Sequence, residues 1–147
     1  MLLIEKRGDL FKTDTQYFVQ CISADFGMGA GIAVEFNKRF DTKKRLYNIF
    51  NGDITYGWDT HTPHGTCIIA DNVFNLVTKR NYWDKPSYED LESALRVMKY
   101  LMLENNIQSI SMPKIGCGLD KLDWQKVKLM LINIFEDTNC IINVYYL

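Results

Sequence analysis

Ser111-Met112-Pro113-Lys114-Ile115-Gly116-Cys117-Gly118-Leu119-Asp120 is the stretch from which the rest of the chain is read. Ser109–Met112 is a short apolar run of strand character, and from about Asp123 apolar residues recur at helical spacing in Val127, Met130, Leu131, Ile134 and Phe135. A glycine loop stands between them. The same arrangement occurs earlier, where a strand over Tyr17–Ile22 runs into Gly27-Met28-Gly29-Ala30-Gly31-Ile32. A helix is expected there from about Ala30 to Arg39, with Ile32, Val34 and Phe36 as its apolar members. Strand–loop–helix joints of this kind form the carboxyl edge of an α/β sheet, the edge at which such sheets bind ligands.

Working outward, Leu2–Lys6, Thr66–Ala70, Val73–Thr78 and Ile141–Tyr146 complete the strands, with Asp71-Asn72 as a turn signal between two of them. After Pro86, Ser87 reads as a helix N-cap with Asp90 in a capping-box position. Leu91, Leu95, Met98 and Met102 then form one apolar stripe of a core-facing helix that ends near Asn105-Asn106. Asn51–Gly65 reads as a long loop. Strands separated by helices predict an α/β sandwich around a largely parallel sheet.

At 147 residues the chain has room for one domain, 1–147, and its 47% hydrophobic and 24% charged residues are those of a globular protein. The net charge of −1 argues against a protein that coats nucleic acid. The first residues become charged too soon for a signal peptide, and no apolar run approaches the roughly 20 residues of a membrane helix. The four cysteines form no C-x-x-C pair and read as reduced thiols. A cytoplasmic monomer without membrane contact is expected.

Five of the nine glycines fall in the two loops. Loops without side chains let backbone N–H groups approach a phosphate, and a following helix start favours the negative charge; glycines also serve tight turns and close packing. Neither loop has Walker A or dinucleotide-fingerprint spacing. Lys79, ending the apolar strand Val73–Thr78 and followed by Arg80, is a candidate amine nucleophile or a solvated basic residue. Asp120 is either a first-turn aspartate at the helix start or a functional carboxylate. Asp9 either accepts from a base amino group or makes a turn. Tyr82, Trp83 and Tyr88 either stack on a ligand or anchor loops. His61-x-x-His64-x-x-Cys67 has metal-ligand residue types without a fourth partner at zinc spacing and reads as a polar loop. With two histidines in that loop, Ser-His-Asp and Cys-His mechanisms are poorly supplied.

Gly8-Asp9-Leu10-Phe11, Cys21-Ile22-Ser23, Met28-Gly29-Ala30-Gly31-Ile32-Ala33, Thr78-Lys79, Lys85-Pro86-Ser87-Tyr88 and the Ser111–Asp120 stretch occur in that order. Together they resemble a macrodomain of the terminal ADP-ribose protein glycohydrolase type, over almost the whole chain. The resemblance implies a three-layer α/β/α macrodomain with a mixed, largely parallel central sheet, and ADP-ribose bound over its carboxyl edge. It implies that Lys79 attacks the anomeric carbon of the distal ribose and that Asp120 is the acid/base. By the same match Lys114, Ile115, Gly116, Cys117, Gly118 and Leu119 form the diphosphate loop. Asp9 and Leu10, with Ser23 and Leu147, border the adenine, and Gly29, Ala30, Gly31 and Ile32 lie along the distal ribose. The implied reaction is release of ADP-ribose from glutamate or aspartate esters, with deacylation of O-acyl-ADP-ribose. The implied partners are ADP-ribose and ADP-ribosylated macromolecules, with protein preferred to DNA. Removal of ADP-ribose from DNA bases, phosphatase action on ADP-ribose 1″-phosphate and non-catalytic reading of ADP-ribose also accord with the resemblance. No cofactor or metal is required.

Overall fold

The computed structural model describes residues 1–60 and 64–147. Its chain order is β1 (Leu2–Arg7), a 3-10 turn (Leu10–Lys12), β2 (Phe18–Ser23), α1 (Ile32–Phe40), α2 (Thr42–Phe50), a second 3-10 segment (Thr55–Thr60), β3 (Thr66–Ala70), β4 (Val73–Lys79), α3 (Tyr88–Glu104), β5 (Ser109–Pro113), α4 (Trp124–Phe135) and β6 (Ile141–Tyr146). The six strands form one sheet in the order β1-β6-β5-β2-β4-β3, parallel throughout except for the antiparallel β3 at one edge. Every strand expected from the sequence is present, with ends shifted by a residue at most.

Alternation along the strands sorts the core into two layers. Val19, Phe74, Leu76, Ile110, Met112, Ile142 and Val144 meet Leu91, Leu95, Met98 and Met102 of α3 and Val127, Leu131 and Ile134 of α4. The intervening positions Phe18, Ile22, Val73 and Val77 face the other way, into the two smaller clusters that hold Phe36 and Leu46. Each face of the sheet is thus covered by a pair of helices, and the three-layer arrangement follows from period-2 strands meeting period-3.6 helices.

Four local expectations change. The first helix begins at Ile32, because Gly31 at φ 62°, ψ −153° lies outside helical space. Of its apolar members only Phe36 is buried, while Ile32 and Val34 are exposed. A helix that the sequence did not signal, α2, follows it directly. Its run Thr42-Lys43-Lys44-Arg45 looks like a solvated loop, yet Thr42 and Leu46 are buried on its inner side. Part of the stretch from Asn51 to Gly65, expected to be one loop, is the Thr55–Thr60 3-10 segment. Ser87 caps α3 by accepting from the Asp90 N–H at 3.1 Å, but Asp90 does not complete a reciprocal box. Its Oδ1 accepts instead from the His64 and Gly65 N–H groups, at 2.7 and 3.2 Å.

Candidate active site

Because β1, β6, β5, β2 and β4 are parallel, the residues that follow them all emerge on one edge of the sheet. Asp9 follows β1, Leu147 follows β6, the loop from Lys114 to Asp120 follows β5, the loop from Ala24 to Gly31 follows β2, and Lys79 ends β4. With β5, β2 and β4 as neighbours, the two glycine loops and Lys79 stand side by side. Topology alone therefore assembles what the chain scatters.

Lys79 is aimed by an irregularity. Ile22 pairs with Val77 but Ser23 pairs with Lys79, so Thr78 is an extra residue in β4. A bulge of this kind bends the strand and redirects the side chain that follows. Lys79 Nζ donates to Asp120 Oδ1 at 2.8 Å, and each side chain keeps 15% of its surface exposed. Asp120 is not at a helix start: Asp123 caps α4, its side chain accepting from the Gln125 N–H. What holds Asp120 is the lysine, not a helix dipole. A screened amine and carboxylate in direct contact form a proton-transfer pair beside an open edge.

The loop after β5 is closed by its own backbone. Ile115 is buried in the core and anchors it, Cys117 N–H donates to Lys114 O at 3.1 Å, and Leu122 N–H donates to Gly116 O at 2.8 Å. Gly116 at φ 72° allows the tight reversal, and a Cβ there would meet Leu122 Cδ1 at 2.9 Å. At Gly118 a Cβ would meet nothing within 4 Å, so the top of the loop is open. Gly31 and Leu119 bring the two loops together: a Cβ on Gly31 would lie 3.3 Å from Leu119 Cδ1.

The loop after β2 is organised by a residue that carries no mark in the sequence reading. Asp25 Oδ1 accepts from the Ser23 hydroxyl and from Gly27 N–H at 3.0 Å, while its Oδ2 accepts from Tyr82 N–H at 2.9 Å. Its own N–H donates to Arg80 O at 3.2 Å, and its carbonyl accepts from the Tyr47 hydroxyl at 3.4 Å. One carboxylate therefore ties the first glycine loop to the segment leaving Lys79. The signal that could have found it is an aspartate two residues before a glycine, an Asx-turn pattern. The same loop holds Phe26 and Met28 at φ 58° and 45°, left-handed positions that non-glycine residues occupy when their surroundings impose them. Lys85, which opens the Lys85-Pro86-Ser87-Tyr88 motif, donates from Nζ to Leu119 O at 2.9 Å and ties that segment to the second loop.

The other expected site residues take these positions. Asp9 is exposed and caps the 3-10 turn, its Oδ1 accepting from Phe11 N–H at 3.0 Å, while Leu10 is buried. Ser23 is buried, with its hydroxyl committed to Asp25. Gly29, Ala30, Gly31 and Ile32 are exposed along the first loop. Lys114 sets its ammonium over the Tyr146 ring at 4.8 Å, toward the chain end where Leu147 stands exposed, rather than over its own loop. Leu10 and Ile115 have their side chains in the core, so only their backbones face the edge. Cys117 Sγ donates to Ile115 O at 3.2 Å, and burial pushes its pKa up to about 11. Burial, reinforced by the Asp120 charge, drives Cys21 higher still. Neither thiol is a thiolate at neutral pH.

His61 lies outside the described residues. His64 stacks on Trp58 at 5.2 Å between ring centroids, and Cys67 is buried in β3. Among the described residues no group of His, Cys, Asp and Glu side chains is placed to hold a metal ion, and no helix is long and apolar enough to cross a membrane. A cavity of about 580 Å³ lies away from this edge, lined by Lys6, Thr13, Asn143 and Tyr145 among others. Within its lining the Thr13 hydroxyl bonds to the hydroxyls of Thr15 and Tyr145, at 2.7 and 3.0 Å.

A family model described as Macro domain matches residues 19–131. The human ADP-ribose glycohydrolase OARD1 is 38% identical over 148 residues, covering 96% of this chain and 89% of its own. The DNA ADP-ribosyl glycohydrolase of Mycobacterium tuberculosis is 29% identical over 132 residues, 88% of this chain and 37% of its own. Among solved structures, the macrodomain of Thermus aquaticus DarG superposes with a TM-score of 0.81 at 22% identity, covering 99% of both chains. Thermosipho africanus DarTG in complex with ADP-ribose gives a TM-score of 0.74 at 18% identity over 97% of this chain and 41% of its own.

Proposed function

This chain belongs to the macrodomain family, and on that premise we propose that it is an ADP-ribosyl hydrolase acting through Lys79 and Asp120. The observation that carries the reading is the 2.8 Å contact between those two side chains, beside two glycine loops, in a chain 38% identical to an ADP-ribose glycohydrolase. The preferred substrate is an ester of ADP-ribose with a glutamate or aspartate side chain.

The chemistry follows from the pair. Asp120 takes a proton from Lys79, and the freed amine attacks the anomeric carbon. The carbon–oxygen bond to the acyl group breaks and its electron pair leaves on a carboxylate, which needs little protonation. The sugar ring opens to an imine on Lys79. Water adds to that carbon, Asp120 shuttles the protons, and the carbon–nitrogen bond breaks to return the amine and release ADP-ribose. Amides at the open top of the loop, around Gly118 and Leu119, hold the diphosphate, and this remote binding fixes the reacting carbon over Nζ. Asp9, Leu10, Ser23 and Leu147 take the adenine end, and Gly29 to Ile32 the distal ribose. The same centre deacylates O-acyl-ADP-ribose whose acyl group sits on the anomeric oxygen, since that group also leaves as a carboxylate.

The test compares Lys79→Ala and Asp120→Ala with the unaltered protein on a glutamate-linked ADP-ribosyl peptide. Turnover should fall at least ~100-fold in each, the scale of a lost nucleophile or acid/base, with ADP-ribose binding by calorimetry preserved. Full turnover in either variant would remove that residue from the mechanism.

A further inference from the structure

The motif Lys85-Pro86-Ser87-Tyr88 takes no part in the bond-making steps, yet two of its side chains close on the loop that carries Asp120. Lys85 Nζ donates to Leu119 O at 2.9 Å, and the Tyr88 hydroxyl accepts from the Asp123 N–H at 2.9 Å. These grips fall on either side of Asp120, one residue before it and three after it. Asp120 itself stands in a turn that the Lys121 N–H closes onto Gly118 O at 3.1 Å, with Lys121 in the left-handed region at φ 59°.

The clamp is anchored from the core side. Pro86 is buried and Ser87 caps α3, so Tyr88 opens a 17-residue helix whose inner stripe is fixed in the core. The Tyr88 ring packs against that core, and Lys126 Nζ of α4 lies over it, 5.4 Å from its centroid. The segment joining Lys79 to Lys85 is itself closed. Asp84 N–H donates to Asn81 O at 3.0 Å, and Asp84 Oδ2 accepts from the Asn81 N–H at 3.0 Å and from its side-chain amide at 3.2 Å. The chain that leaves the amine thus returns to hold the loop of the carboxylate.

We propose that Lys85 and Tyr88 are positioning residues for Asp120, needed most once Lys79 is bonded to the sugar. The inference rests on the hydrolase reading above and deepens it. In the resting site the 2.8 Å contact with Lys79 holds the carboxylate directly. That hold weakens when Nζ becomes the imine nitrogen, because an ammonium offers three donors and an imine one at most. Asp120 must still take a proton from the incoming water, pass it to the nitrogen, and take the hydroxyl proton as the carbon–nitrogen bond breaks. Its own backbone is then what keeps it in reach, and Lys85 and Tyr88 fix that backbone on both sides. Lys85 and Leu119 are both exposed, so their hydrogen bond adds little to stability; its effect falls on the geometry of the turn.

The experiment follows single turnovers of a glutamate-linked ADP-ribosyl peptide with the full chain in saturating excess, so that changes in affinity do not enter. Release of the free peptide reports formation of the adduct on Lys79, and release of ADP-ribose reports its resolution. Quenching in borohydride reduces the imine to a stable amine, and mass spectrometry reads how much adduct stands on Lys79. The unaltered protein is compared with Lys85→Met, Lys85→Arg and Tyr88→Phe, the last of which keeps the ring and removes only the acceptor. In Lys85→Met and Tyr88→Phe, peptide release should change little while ADP-ribose release slows roughly 10- to 100-fold, the scale of misplacing a reacting group by about 1 Å. The adduct should accumulate in both, and Lys85→Arg, which keeps a donor for Leu119 O, should clear it. Equal slowing of the two releases, as general loosening would give, overturns the proposal, and so does slowing without accumulation or no slowing at all. If the unaltered protein frees neither peptide nor ADP-ribose, the hydrolase reading fails and takes the clamp's role with it, an outcome distinct from equal slowing in a working enzyme.

Discussion

Lys79 Nζ lies 2.8 Å from Asp120 Oδ1, a contact spanning 41 residues of chain, and the two side chains are equally screened from water. The bulge at Thr78 delivers the amine and the turn after Gly118 delivers the carboxylate. Either partner alone is a surface charge near a sheet edge; together they can pass a proton within one hydrogen bond. Replacing Asp120 by Asn keeps the contact's shape and removes its basicity. Asp120→Asn should therefore depress turnover of the peptide ester while leaving ADP-ribose affinity within a few-fold, and a pH–rate profile that loses its acidic limb would identify the missing base.

Asp25 accepts from Ser23, Gly27 and Tyr82 and so ties two edges of the site together without itself facing the Lys79–Asp120 pair. Loss of a half-buried multi-donor acceptor strands the donors it served. Asp25→Ala should loosen the first glycine loop and weaken ADP-ribose binding. Asp25→Asn, which can still accept on one oxygen, should recover part of the loss. Calorimetry on both variants checks this, with unfolding in urea to separate local loosening from global instability.

The fold was legible because strand and helix periods differ and each was written clearly: Leu91, Leu95, Met98 and Met102 in one case, the apolar run to Thr78 in the other. Helix α2 was not, since Thr42, Leu46 and the left-handed Asp41 preceding them carry a pattern broken by three consecutive cations. The site was legible only in part. Glycines flanking strands point to an edge, but the pairing of Lys79 with Asp120 depends on strand order, which residue types alone do not state. Asp25 and the Asn81–Asp84 turn act largely on backbone N–H groups, and the Asx-turn spacing that marks Asp25 is shared by ordinary surface turns. Lys114 illustrates the converse: a cation in the right loop whose side chain turns to Tyr146.

Gly65 tests how the stretch after α2 is docked. A Cβ there would lie 1.7 Å from Asp90 O, a collision with backbone that no rotamer relieves. The Asp90 carboxylate receives the neighbouring N–H groups of His64 and Gly65. Gly65→Ala should destabilise the protein by several kcal/mol or prevent folding, the scale of severe overpacking. Asp90→Ala should cost about 1–3 kcal/mol, the cost of unsatisfied donors. Urea titration measures both, and a neutral Gly65→Ala would mean that the two segments separate freely.

The thiols give a prediction with a sign. Burial raises the Cys117 pKa to about 11 and takes Cys21 and Cys67 higher. Since the thiolate is the reactive form, alkylation by iodoacetamide in the folded protein should be slow at neutral pH. For Cys117, which like Cys21 is only partly buried, it should accelerate tenfold for each pH unit until the pH nears 11. Mass spectrometry after timed labelling reads this site by site. Rapid modification of Cys117 at neutral pH would contradict its buried setting.

Glu5 offers the complementary case at low pH. On β1 its carboxylate accepts from Lys128 Nζ and Trp124 Nε1, both at 2.8 Å, which ties the sheet edge to α4 and holds its pKa below the ordinary carboxylate range. A carboxyl group with a depressed folded-state pKa stabilises the fold above its unfolded-state pKa. That contribution is lost as pH falls through the folded value, where protonation becomes equal in the two states. The group is largely solvated, so the effect is small, below about 1 kcal/mol. Glu5→Gln should therefore lower the urea midpoint slightly at neutral pH, and the difference from the unaltered protein should vanish under strongly acidic conditions. High salt should shrink the same difference at neutral pH by screening the Lys128 contribution. A gap that widened with acidification would place the pKa shift in the opposite direction.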